Sequence, residues 1–245
     1  MRDLINGELL KLRTTRMFWG NVAAALAFVP VGVALAVTGG SEPLDSTAGV
    51  RNVMAAGSSG AVILLVIGIL ITSGEFRHGT ATSTFLISPD RRRVIAAKLV
   101  AAGIVGASVA AAASLLTIAI AVPWLRSEGV SILDYRSDAA LALVGAVLAT
   151  VLGAVVGVGL GALVRNQTAA ITIALVWTQV VEALLVGFLP EVGRWLPGGA
   201  ANAVAGVATP NGGLLPMGAA ALLLMGYGLL FAAAGASAIV RRDIA

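Results

Sequence analysis

The chain is poor in nearly every residue type that performs chemistry. It has no cysteine, one histidine (His78) and two lysines, Lys11 and Lys98, in 245 residues. Without cysteine there is no disulfide framework and no thiolate cluster. Neither lysine follows a glycine, so no GxxxxGK[ST] loop is available to cradle nucleotide phosphates. HExxH is absent, and no group of His, Cys or carboxylate residues has metal-ligand spacing, so no metal site is expected. A serine intramembrane protease needs a base beside its nucleophile at membrane depth. His78 stands in a polar stretch between apolar runs, which removes that reading, and no catalytic residue is expected. Charge is scarce as well. Only 11% of residues are charged, where a soluble domain carries about a quarter.

What is abundant is apolar: 58% of residues are hydrophobic and the mean hydropathy is +0.97. A helix needs about 20 apolar residues to cross the hydrocarbon. Six runs meet that length, at 17–38, 53–73, 93–124, 139–164, 169–189 and 215–239. The chain therefore reads as an all-α integral membrane protein, one transmembrane domain over residues 1–245. Sixteen mostly polar residues precede the first run, which is read as a span and not as a cleaved leader. An even number of spans puts both termini on one side. With the termini inside, twelve of the sixteen Lys and Arg residues fall in inner segments and four (Arg51, Arg126, Arg136 and Arg194) outside. That bias places the termini in the cytoplasm. The basic residues do not gather on a soluble face, so nucleic acid is not an expected partner; membrane lipids are.

Four features stand out against this background. Residues 1–16 form an amphipathic pattern, with Met1, Leu4, Ile5, Leu9 and Leu12 within an arc of about 140°, as expected of a helix lying in the membrane interface with Arg13 and Arg16 at headgroup level. In VLGAVVGVGLGALV, Gly153, Gly157 and Gly161 recur every fourth residue, a helix-packing face whose partner lies either in this chain or in another. Glu182, with Thr178 and Gln179 one turn before it, puts a carboxyl inside a span. Such a group marks either a polar spot on a substrate or proton pathway or a hydrogen bond between helices. Between spans five and six, the small-residue stretch 200–208 is too short to cross and is expected to dip into the outer leaflet as a re-entrant segment.

The fifth feature is GEFRHGTATSTFLISPDRRRVIAAK, residues 74–98, on the inner side between spans two and three. Its Ser and Thr content disfavours a free-standing helix. A helix restarts at SPD, where Ser88 can cap, Pro89 suits the first position and Asp90 faces the positive helix end. Arg91, Arg92, Arg93 and Lys98 then read as surface anchors.

In order along the chain, Glu75, Gly79, Thr80, Leu86, Pro89, Arg92 or Arg93, and Lys98 resemble a pattern in the permease subunits of ABC-2-type transporters, which are bacterial exporters. The amphipathic opening, the six-span order and the dipping segment before span six are similar too. The resemblance implies that the first cytoplasmic loop is a coupling helix docking on a separate ATPase, with Glu75, Phe76, Arg77, His78, Gly79, Thr80, Phe85 and Leu86 as the coupling residues. It implies no cofactor in this chain, with ATP and Mg on two copies of that ATPase. It also implies a second permease chain, identical or paralogous, and a place in the bacterial inner membrane. The function implied is export of an amphipathic drug, peptide or lipid. Two other readings stay open: a proton-coupled secondary carrier, or a non-transporting anchor or immunity protein.

Overall fold

The computed structural model describes residues 1–40, 42–77, 91–164, 166–207 and 213–241. All regular structure among them is helical: α1 (Arg2–Thr14), α2 (Arg16–Thr38), α3 (Thr47–Ala55), α4 (Ala61–Arg77), α5 (Arg91–Ser127), α6 (Arg136–Val164), α7 (Gln167–Val176), α8 (Glu182–Phe188), α9 (Pro190–Gly193), α10 (Pro197–Ala205) and α11 (Met217–Arg241). A 3₁₀ turn, Ala56–Ser58, joins α3 to α4 across the break at 56–60, and a π-helical turn, Trp177–Val181, joins α7 to α8. Six helical stretches are long and apolar enough to cross a membrane, as expected. Two differ from a plain rod. The second stretch starts at Thr47 and breaks at 56–58; the fifth widens at 177–181.

Helix α6 forms the middle of the bundle, with α4, α5 and α11 packed around it. Its glycines explain how so many neighbours fit. A Cβ on Gly157 would overlap the Leu65 carbonyl of α4, and one on Gly161 would stand 2.7 Å from the Ile69 carbonyl oxygen. The partner of the Gly153–Gly157–Gly161 face is therefore α4 of the same chain. Gly68 on α4 returns the contact against Ala154. Gly159 turns the other way, 2.7 Å from the Gly228 oxygen of α11 when given a Cβ. Close backbone approach supplies the van der Waals contact that lipid cannot drive by hydrophobicity.

The two ends of the bundle are tied differently. At one end Arg51 of α3 donates to Asp138 at the start of α6, Nε at 2.9 Å from Oδ1, and the Tyr135 hydroxyl donates to the Asp45 carbonyl. Helix α10 lies toward this end, with Ala200, Ala203 and Val204 buried against α6 and α11. It spans Pro197–Ala205 and so overlaps the small-residue stretch 200–208, and Gly206, at φ +74°, terminates it. The opposite end holds α1, the last turn of α4 and the first turns of α5. There the apolar arc of α1 is turned toward the bundle, since Leu9 and Leu12 pack with Phe18, Ile71 and Ala102. Met1 and Leu10 stay exposed.

The α4–α6 contact makes a graded prediction. A Cβ at Gly153 would sit 3.7 Å from the Ala61 oxygen, an ordinary contact. Gly153→Ala should leave the thermal stability of the detergent-purified chain unchanged. Gly157→Ala must push α4 away and should cost about 1–3 kcal/mol. Equal melting of the two variants in a size-exclusion thermal scan would contradict this packing.

Candidate functional site at the root of the 76–90 segment

Helix α4 does not stop at residue 73, where the hydrophobic run ends, but continues to Arg77. Glu75 therefore lies in the last turn of a spanning helix and not in a loop. Helix α5 begins at Arg91, and Lys98 falls in its second turn. The two helices bring these side chains to the same point, beneath α1. The Lys98 ammonium donates to Glu8 Oε2 at 2.8 Å and to the Ile71 carbonyl at 3.1 Å. It also meets Glu75 Oε1 at 2.9 Å. Three donors meet three acceptors, so this ammonium has a full set of partners. Lys11, one turn beyond Glu8 on α1, bridges Glu8 Oε1 at 2.8 Å and Glu75 Oε1 at 2.9 Å.

Two carboxylates and two ammoniums thus alternate in a closed ring with no net charge. The inner half is dry: Lys98 is 2% exposed and Glu8 7%. Lys11 forms the wetter rim. Burial pulls the Lys11 pKa down, but hydrogen bonds and attraction from Glu8 and Glu75 together outweigh it and leave it above the ordinary 10.5. A raised lysine pKa adds stability that is complete below the unfolded value and disappears only as pH climbs through the folded one. Lys11 is accordingly charged throughout the neutral range.

Several expectations change here. Lys98 reads in sequence as a surface anchor; it is buried, because three acceptors wait for it inside. Glu75 is half-buried and engages both ammoniums, so its carboxylate is turned inward. Arg13, Arg16 and Arg93 are exposed at this end. The backbone of Phe76, Arg77, Arg91 and Arg92 is helical, while their side chains, and all of His78, Gly79, Thr80, Phe85 and Leu86, lie outside the described residues. Glu8 was not singled out, yet a signal existed. At 100° per residue it falls within the same apolar arc as Leu4 and Leu12, an acid on the greasy face of its helix.

The polar trio of span five divides. Thr178 and Gln179 line a cavity of about 490 Å³, together with Asn52, Ser58, Ser59 and Asn202. Glu182 is 2% exposed and not part of that wall. Its Oε2 accepts the backbone N–H of Gly198 in the first turn of α10, where a helix end favours negative charge. The carboxyl thereby fixes where α10 begins.

Removing one member of the ring leaves an uncompensated charge: without Lys98, Glu8 and Glu75 share the single ammonium of Lys11. Lys98→Met should lower stability by about 3–5 kcal/mol, the usual cost of breaking a buried pair. Adding Glu8→Gln to that variant should return part of the loss, a non-additive cycle. The stability difference between wild type and Lys11→Met should be flat across about pH 6–9, since the raised Lys11 pKa puts the loss of its contribution above that window. Strict additivity in thermal scans would refute the ring.

Residues 4–186 match the family model described as ABC-2 family transporter protein. No curated protein matches the chain at a significant level. The matched region runs from α1 through α4, α5 and α6 into α8, so it contains every member of the ion ring as well as the glycine face. The chain belongs to the ABC-2 transporter family, as a membrane permease.

Proposed function

We propose that this chain is the membrane-spanning subunit of an ATP-driven exporter that moves an amphipathic drug, peptide or lipid out of the cell. ATP and Mg are bound by a separate ATPase, present in two copies beneath two permease chains. The termini and the ion ring face the cytoplasm in a bacterial inner membrane, and α10 dips into the outer leaflet. The observation that carries this reading is the ring of Glu8, Lys11, Glu75 and Lys98, because it fastens together the helices on both sides of residues 76–90.

Mechanical transfer needs a stiff joint. A segment connected to its spans by flexible links would absorb a push from below; one whose roots are cross-linked passes it on. Here α4 and α5 enter the segment already tied to each other by Glu75 and Lys98, and tied to α1 by Glu8. Glu75 in this scheme positions the coupling segment and does not itself dock. The exposed Arg13, Arg16 and Arg93 hold the same end at the headgroups.

A proton-coupled carrier draws on one observation, the buried carboxyl of Glu182. That carboxyl already serves the Gly198 N–H, which favours a structural role. Transport that runs without any ATPase and stops in Glu182→Gln would reverse this preference.

Purification of the chain with its ATPase tests the proposal. Shortening residues 76–86 should release the ATPase while leaving the permease in the membrane. Glu75→Gln should retain the ATPase but uncouple it, with hydrolysis continuing while transport falls about tenfold or more. Unchanged transport per ATP in both variants would end the coupling assignment.

A further inference from the structure

Among the described residues, two places where a spanning stretch departs from α-helical geometry are far apart in sequence. One is the break at 56–60 between α3 and α4, and the other is the π-helical turn Trp177–Val181. At membrane depth irregular backbone is tolerated where it is buried in protein or lines a cavity, and π turns recur at functional sites. Both irregularities border the same cavity: Ala56, Ser58 and Ser59 come from the first, Thr178 and Gln179 from the second. Its third wall is the start of α10, at Pro197 and Gly198, which Glu182 holds from behind.

The wall has a consistent chemical character. Phe28, Leu65, Val156 and Leu224 give it an apolar side. The three amides and three hydroxyls already named give it a hydrogen-bonding side. Among the described residues no Asp, Glu, Lys, Arg or His lines it. Glu182 stands behind this wall, its Oε2 on the Gly198 N–H and its Oε1 buried without a hydrogen-bond partner among the described residues. Phe28, Gln179 and Asn202 are exposed, so the cavity opens on the flank of the chain. An amide facing hydrocarbon there would go without partners at a cost of a few kcal/mol. The size, about 490 Å³, falls within the about 300–1,000 Å³ of small-molecule sites.

We infer that the cleft between the 56–60 break, the π-helical turn and the start of α10 binds an uncharged amphipathic molecule, its hydrogen-bonding head at the amides and its apolar tail along Phe28 and Leu65. A charged head would lose its water with no opposite charge to replace it. Glu182 acts as a positioning residue by seating α10. The inference rests on the transport reading for its purpose, and it narrows the amphipathic substrate class to neutral molecules.

The probe is a neutral alkyl glycoside with a diazirine in its tail, photolysed in membranes holding the full chain, with no ATPase needed. Labelling should fall on peptides containing Thr178 and Ala201. It should be competed by the unmodified glycoside, and not by an alkyl sulfate or alkyltrimethylammonium of equal chain length. Thr178→Trp should cut it about tenfold. Gln179→Glu should reverse the order, making the alkyltrimethylammonium the better competitor, and this variant decides the matter if the tryptophan variant does not fold. Labelling spread evenly over all spans, equal competition by charged amphipaths, or a Gln179→Cys disulfide between two copies that removes labelling would each overturn the proposal. Labelling as expected with no ATP-coupled transport would leave the cleft standing and remove the exporter reading. Coupled transport without labelling would do the opposite.

Discussion

The close approach of α4 to α6 is the constraint on which the remaining structure depends. Lipid tails are as apolar as leucine, so helices in a membrane are not squeezed together by water and must be held by contact. Gly157 and Gly161 remove the side chains that would hold α4 away, and Gly68 does the same from the other side. With α4 seated, both of its ends are set. One end borders the cleft near Leu65, and the other carries Glu75 to the ion ring.

The ring and the cleft solve the same problem in opposite ways. Polar groups removed from water must find partners within the protein. At the α1 end the answer is complete, since Lys98 has three acceptors and Glu8 uses both oxygens. Ion pairs of this kind add little net stability over apolar packing, but they make one arrangement much better than its neighbours. That suits a joint. In the cleft the amides of Gln179 and Asn202 stand on an exposed flank without charge, which suits exchange with a ligand instead.

Much of this was legible in the sequence, and the limits have physical causes. The six stretches follow from length and hydropathy, because a spanning helix must satisfy its backbone internally whatever its neighbours are. Thr178 and Gln179 could be recognised as unusual for the same reason. Burial of Lys98 could not be read, because a lysine after three arginines looks like part of an anchor until its acceptors on α1 and α4 are known. The arc of α1 falls on a helix, Arg2–Thr14. Its apolar side faces protein through Leu9 and Leu12, and periodicity does not distinguish protein from lipid. The π-helical turn has no composition signal, since WTQVV would fit a plain helix equally well.

One element is common to both sites. From Ala61 to Glu75, α4 runs about 22 Å at 1.5 Å per residue, unbroken, from the edge of the cleft to the ring. Under the proposed function, load from the ATPase enters at 76–90 and reaches α4 through Glu75. The helix resists bending, and along α6 it is held by the close approach at Gly157 and Gly161, by Leu65 and Ile69 packed with Val156, and by the Thr72 hydroxyl on the Val158 carbonyl. A load applied at Glu75 is therefore passed along α4 and not absorbed within it. It would shift the 56–60 break relative to Gln179 and so change the shape of the cleft, without opening the bundle to lipid.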